Sequence, residues 1–341
     1  MSGQETVLVT GGSGFIASWC MIGLLQQGYA VRTTVRSLGR EGAVRAAIGK
    51  VVDPQDRLSF HAADLTADAG WDAAANGCDY VLHVASPVAA AEPKNPDELI
   101  VPARDGTRRA LAAALKAGVK RVVLTSSVAA TTPRAGAGES VTDEKVWTDL
   151  DDPTVSAYSR SKTLAERAAW DLMDASAGAA TLATVNSSMV IGPVLSRDFS
   201  ASVLVVERLL SGRVPGLPRL GFSFVDVRDV ADLHIRAMTA PEAAGQRFIA
   251  ARDFAWMTDL ADLLRARLGD AANKVPTRKV PNLVVRLVAL FDKDLASVTP
   301  RLGEKRTFSS AKAQKVLGWQ PRPVEESVVD CARSLIATGA V

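Results

Sequence analysis

The stretch Val7-Leu-Val-Thr-Gly-Gly-Ser-Gly-Phe-Ile-Ala17 constrains this chain more than any other. An apolar strand runs straight into a glycine turn, and the turn opens a helix near Phe15. Gly11, Gly14 and Ala17 stand at the three small positions of a dinucleotide-binding turn. The first permits the tight turn, the second lets backbone N–H groups approach a pyrophosphate, and the third keeps the helix close to the sheet. An anion held there sits at the positive end of the helix dipole. Glycine serves turns of every kind, so the pattern gains its weight from context. It follows the first strand, and Ile22, Leu24 and Leu25 carry the helix on to a stop at Gly28.

With 341 residues, 48% of them hydrophobic, the chain can bury one large core and a second, smaller one. A nucleotide-binding domain with a satellite is therefore expected. The net charge of +3 comes from interspersed acids and bases, without the basic stripe that nucleic acid binding needs, so no nucleic acid partner is expected. Cys20, Cys78 and Cys331 lack CxxC or histidine spacing and read as reduced thiols rather than a disulfide framework or a zinc site. No basic and apolar leader precedes the first strand, which points to a cytoplasmic protein. The most apolar late segment, residues 282–291, carries Arg286 and has about half the length of a membrane span, so it reads as a helix of the second domain. Residues 135–138 form only a short flexible patch, and there is no internal repeat.

Residues 29–35 are rich in β-branched types and predict a second parallel strand ending at Arg36. An acid near this point suits the ribose 2′-hydroxyl of NAD, whereas an arginine suits the 2′-phosphate of NADP. Arg36 is that arginine, and Arg40 one helical turn on can assist it; a pair of solvated surface arginines is the plainer reading. Arg32 lies nearer the strand start and is not assigned. A strand over 58–62 leads to Asp64 and Leu65, and another over 79–87 leads to Val84, Ala85 and Ser86. In a doubly wound sheet ligands bind outside the carboxyl ends of the strands. Asp64 and Leu65 are then expected near the adenine, and Val84, Ala85 and Ser86 along the path to the nicotinamide. His83 lies within the apolar strand and reads as a satisfied core histidine.

An alanine-rich helix over 96–118 precedes a buried strand, residues 121–128, that ends in Thr125, Ser126 and Ser127. These hydroxyls either close the strand by local backbone bonding or serve a site. Tyr158-Ser-Arg-Ser-Lys162 then opens a further helix, and spacing of four puts Tyr158 and Lys162 on one face. A tyrosine with its ordinary pKa of about 10 is a poor proton donor at neutral pH, and a neighbouring ammonium favours its phenolate. Ser127 to hold a substrate oxygen, Tyr158 to give it a proton and a nicotinamide to reduce the carbon make a carbonyl reductase. The tyrosine–lysine spacing alone is a frequent accident of helices; joined to the glycine turn and the strand-end serine it is not.

With these motifs in hand, the chain resembles an extended short-chain dehydrogenase/reductase. The stretches 10–17, 34–37, 83–87, 124–127 and 158–166 all match, and 224–231 with Leu317-Gly-Trp-Gln-Pro-Arg322 continue the match through the second half. It is most similar to the branch of dihydroflavonol reductases, cinnamoyl-CoA reductases and aldehyde reductases. The resemblance implies an α/β fold: a Rossmann doubly wound parallel sheet with a smaller C-terminal α/β substrate domain. Residues 1–194, with 224–250 returning to them, would bind the cofactor, and 195–223 with 251–341 the substrate. It implies Ser127, Tyr158 and Lys162 as the catalytic set. It implies NADP(H) held by Gly11, Ser13, Gly14, Phe15, Ile16, Arg36, Arg40, Asp64, Leu65, Val84, Ala85, Ser86, Tyr158, Lys162 and Ser188. The branch usually has proline where this chain has Ser187, a change that adds an N–H and removes a fixed φ.

Substrate-facing candidates by position are Ser86, Val128, Ala129 and the loop after Pro193, with Phe199, Phe222 and Phe224 read as pocket wall or core. Asp226 and Asp229 read as solvated or capping. The expected activity is reversible, NADPH-dependent reduction of an aldehyde or ketone, by a monomer or homodimer with no membrane partner. A sugar-nucleotide epimerase or dehydratase holding NAD is the second reading, opposed by Arg36. A non-catalytic NADP-binding sensor is the third, opposed by the complete Ser127, Tyr158 and Lys162 set.

Overall fold

A computed structural model describes residues 4–87, 93–134, 141–176, 182–291 and 299–341. The flexible patch expected at 135–138 lies outside them. In chain order the strands are β1 (Thr6–Val9), β2 (Ala30–Val35), β3 (Leu58–Ala62), β4 (Tyr80–His83), β5 (Arg121–Ser127), β6 (Val141–Thr142) and β7 (Leu182–Ser187). There follow β8 (Met189–Ile191), β9 (Leu217–Pro218), β10 (Gly221–Asp226), β11 (Gln246–Ala250), β12 (Asp253–Trp256), β13 (Lys279–Val280) and β14 (Thr307–Phe308). The helices are α1 (Phe15–Gln26), α2 (Glu41–Gly49), α3 (Trp71–Ala75), α4 (Asp97–Lys116), α5 (Ala157–Ala175) and α6 (Leu204–Leu210). The later ones are α7 (Val227–Thr239), α8 (Met257–Leu268), α9 (Asn282–Val288), α10 (Ala311–Leu317) and α11 (Val324–Ala337).

Seven strands pair in parallel in the order β11-β7-β5-β4-β1-β2-β3, the expected doubly wound sheet. The order reverses between β1 and β4, and ligands of such sheets bind in the crevice at that switch. Strands buried on both faces need apolar side chains pointing both ways. Val7 and Val9 accordingly join a core with α1 and α7, while Leu8 joins a second core with α3, α4 and α5. α1 is buried nearly all round, and a Cβ on Gly23 would stand 2.8 Å from Ile235 Cδ1, so glycine there sets how closely α1 meets α7.

A three-stranded sheet, β12-β10-β8, stands apart from the main one. Of residues 224–250, α7 packs on α1 and β11 forms the edge of the main sheet, while β10 pairs with β8 and β12. The C-terminal stretch is pinned to α7. Trp319 is fully buried with Nε1 donating to Asp229 O at 2.8 Å, and Arg322 donates through N and Nε to the Asp229 carboxylate at 2.8–3.1 Å. Asp226 caps α7 by accepting from Arg228 N at 2.8 Å and also takes the Arg228 guanidinium. Neither acid is solvated, so the capping reading holds for Asp226, while Asp229 is the buried half of an ion pair. Burial, outweighing the arginine, raises the Asp229 carboxyl above its usual range.

The apolar segment 282–291 is helical through α9, as expected, yet Val285 is its buried residue; Leu290 is 75% and Phe291 92% exposed. Among the described residues no helix is long and apolar enough to cross a membrane.

Candidate active site

Because β1, β2, β4 and β5 are parallel, their carboxyl ends share one edge, and the segments that follow them converge there. Gly11 has φ +74°, and a Cβ on it would lie 3.0 Å from Ala85 Cα and Cβ. Only glycine supplies that backbone without strain while the β4 end passes so close. The turn is tied internally, with Gly11 N donating to Thr34 Oγ1 at 3.0 Å, Gly12 N to Thr34 O at 2.8 Å and Gly14 N to Gly11 O at 2.8 Å. α1 then opens at Gly14 with no side-chain cap and no acid in its first turn. The N–H groups of Phe15 and Ile16 are thus left for an acceptor outside the helix.

Thr10, which sequence reasoning passed over, clamps this edge. Its Oγ1 accepts from Val84 N and Ala85 N, both at 3.0 Å, and lies 2.9 Å from His83 Nδ1. A hydroxyl has two acceptor sites and one proton, so that proton goes to Nδ1 and the histidine carries its own on Nε2. His83 is buried and held neutral, its pKa pushed down to about 3 by burial and then by the charge of Lys162. Nε2 has no hydrogen-bond partner among the described residues, so this core histidine is satisfied at one nitrogen rather than both.

Ser86, three residues past His83, accepts from Lys162 Nζ at 2.8 Å. Lys162 is 7% exposed, and its Nζ lies 5.9 Å from the centroid of the half-buried Tyr158 ring. Both come from the first two turns of α5, which Ser156 caps by accepting from Ser159 N. On the neighbouring strand, Ser127 Oγ accepts from Ala129 N at 3.1 Å and donates to Ser187 O at 3.3 Å. Ser127 therefore does close its strand by backbone bonding, at the carboxyl end of β5, the neighbour of the β4 strand after which Ser86 takes Lys162. Ser187 ends β7 in register with Ser127 and Ala250, and Ser188 N donates to Ala250 O at 2.9 Å. The backbone with serine in place of proline is thus regular strand. Ser188 Oγ is buried without a partner among the described residues, an orphan that a bound polar group would satisfy.

Arg36 is exposed just past β2. Asp64 is held below the usual carboxylate range, first by hydrogen bonds from Thr66 Oγ1 and N and lastly by the charge of Arg36. Leu65 O takes Arg109 Nη1 at 2.9 Å. Arg40 pairs with Asp198, and with Ser13, Phe15, Val194 and Leu195 both line a cleft of about 260 Å³ beside the glycine turn. Val128 and Ala129 form a helical turn after Ser127 and are half-buried. Phe224 is fully buried in the core, edge-on to Phe222, so it is no pocket wall; Phe222 lies under the Arg301 guanidinium, and Phe199 packs half-buried on the core.

A glycine cradle, uncapped N–H groups and an orphaned buried hydroxyl suit a dinucleotide. Comparison with known proteins agrees with that geometry. The model of the NAD dependent epimerase/dehydratase family matches residues 7–279. A cinnamoyl-CoA reductase of Petunia hybrida is 34% identical over 344 residues, covering 99% of this chain and 94% of its own length. An anthocyanidin reductase of Vitis vinifera is 36% identical over 292 residues, covering 81% of this chain and 84% of its own. The yeast methylglyoxal/isovaleraldehyde reductase, solved complexed with NADPH, superposes with TM-score 0.80 at 26% identity, over 99% of this chain and 100% of its own. The chain belongs to the NAD-dependent epimerase/dehydratase family, the extended short-chain dehydrogenases/reductases, and within it to the branch of dihydroflavonol and cinnamoyl-CoA reductases.

Proposed function

We propose that this protein reduces an aldehyde or ketone to the alcohol with NADPH, reversibly. The observation that carries the reading is Lys162: a buried ammonium, 2.8 Å from Ser86 Oγ and beside the Tyr158 ring, at the edge where the glycine turn and Ser127 converge. Gly11, Ser13, Gly14, Phe15 and Ile16 would hold the pyrophosphate of the cofactor, and Arg36 with Arg40 its 2′-phosphate. Asp64 and Leu65 would face the adenine. Val84, Ala85, Ser86 and Ser188 would flank the nicotinamide, and Lys162 its ribose. When bound, the cofactor supplies a hydride to the carbonyl carbon.

Ser127 turns its proton from Ser187 O, a 3.3 Å bond, to the substrate oxygen and so holds it. Tyr158 Oη gives its proton to the same oxygen as the alcohol forms. The Lys162 charge stabilises the phenolate that remains, and water restores the proton. His83, neutral beside the lysine, adds no competing positive charge. Residues 195–223 and 251–341 we read as the substrate-binding part, with Val128 and Ala129 closing the pocket from the cofactor side.

The test is the initial rate of NADPH oxidation, beside NADH at equal concentration, over a panel of aliphatic and aryl aldehydes and ketones. Turnover with NADPH well above NADH is expected. Arg36→Gln should erase most of that preference, raising KM for NADPH about 10- to 100-fold. No turnover with either nucleotide, alongside measurable binding, would overturn the reading.

A further inference from the structure

Beneath Ser127, Tyr158 and Lys162 lies a carboxylate that the proposed chemistry leaves unused. Glu166 is fully buried and continues the stripe of α5 that carries Tyr158 and Lys162, four residues to a step. Its Oε2 accepts from Ser126 Oγ at 2.6 Å and from Asn186 Nδ2 at 2.7 Å, and its Oε1 accepts from Thr184 Oγ1 at 3.1 Å. Arg247, from the edge strand β11, completes the set with Nε donating to Oε1 at 2.7 Å. Asn186 Nδ2 also donates to the backbone oxygen of Ser127 at 3.3 Å. The arginine is itself anchored: Nη1 donates to Glu144 O at 2.6 Å and Val146 O at 3.1 Å, and the guanidinium lies 3.7 Å from the Trp147 ring centroid.

We propose that Glu166 is a positioning residue, whose carboxylate ties α5 to the ends of β5 and β7 and so sets the separation of the Ser127 and Tyr158 hydroxyls. The proposal rests on the reductase reading above. Ser127 belongs to β5 and Tyr158 to α5, so the grip on a substrate oxygen depends on how the helix is registered against the strand. Apolar contacts tolerate small slides, whereas a fully satisfied buried polar network specifies one arrangement. Here one carboxylate bonds Ser126, the residue before Ser127, and Asn186, which holds the Ser127 carbonyl.

Glu166→Gln keeps the shape and breaks the logic. Its amide NH2 must face either the Asn186 NH2 or the Arg247 Nε–H, leaving a buried donor facing a donor whichever way it turns. The experiment compares wild type, Glu166→Gln, Ser127→Ala and the double variant for kcat, for KM, and for NADPH affinity by fluorescence. With the protein folded by circular dichroism, Glu166→Gln should lower kcat about 10- to 100-fold while the NADPH dissociation constant stays within about twofold. On the Ser127→Ala background the same change should cost less than about threefold, because residues acting as one unit are not additive. Should the glutamine variant not fold, Ser126→Ala, which removes one donor only, carries the same cycle with an expected loss of about fivefold. Retained kcat in the single variant, or a loss that multiplies undiminished onto Ser127→Ala, would overturn the proposal. Absence of turnover in the wild type would instead overturn the reductase reading itself.

Discussion

Lys162, on α5, and Arg247, reaching α5 from the edge strand β11, are two buried cations held in different ways. Lys162 and Glu166 are four apart on α5, the spacing at which a lysine and a glutamate ordinarily pair. They do not pair with each other. Glu166 is taken by Arg247, and among the described residues Lys162 has no carboxylate within ion-pair distance, only the Ser86 hydroxyl. Arg228 and Arg322 follow the arginine pattern, the first held by Asp226 and Asp330, the second by Asp229. Arginine's planar fork suits carboxylates and stays put, whereas lysine's compact charge is readily redirected. The paired cations hold elements together; Lys162, which faces a hydroxyl, is the one the proposed chemistry draws on.

Breaking the chemistry on the lysine side gives the largest effect. Tyr158→Phe removes the proposed proton donor and should lower kcat about 10³-fold or more while NADPH affinity, followed by fluorescence, changes little. Retained turnover would sink the donor role of Tyr158. On the arginine side the loss is of fold. Arg228→Met leaves the fully buried Asp226 without its partner and should cost roughly 3–5 kcal/mol, a fall of about 4–7 °C in Tm. Its kcat, measured well below Tm, should stay within about threefold of wild type.

The smallest effect per residue is one of pH. His83 and His234 are buried and neutral, burial driving their pKa values down to about 3 and about 4. The unfolded chain takes up these protons first as pH falls below 6.5, so stability is complete above that value and is lost down to the folded pKa values. By pH 5 each histidine should have removed about 2 kcal/mol. Denaturant titrations at pH 7 and pH 5 measure the loss, and His234→Asn should roughly halve it. An undiminished loss in that variant would assign the acid sensitivity elsewhere.

What could be read from the sequence was local. The glycine turn, the serine ending β5 and the Tyr158–Lys162 spacing each lie within about ten residues, so strand and helix periodicity identify each of them, whereas their meeting at one edge was what the resemblance implied and depends on the parallel pairing of β1, β4 and β5. Thr10 was missed because its role, accepting two N–H groups of the β4 end, depends on a strand seventy residues away. Glu166 carried a signal, an acid on the stripe of Tyr158 and Lys162, but its partner Arg247 is 81 residues distant and no periodicity links them. The apolar run at 282–291 shows the opposite limit: hydrophobicity predicted the helix and said nothing of whether its apolar side chains would be covered.

The most direct test sets Lys162→Met beside wild type, reading kcat and Tm on the same preparations. Replacing a buried charge that lacks an acid with an apolar side chain of similar size is expected to leave Tm unchanged or raise it, while kcat falls about 10²-fold or more. A variant that melts well below wild type and yet keeps its turnover would contradict the central claim, since Lys162 would then be holding the fold rather than serving the chemistry.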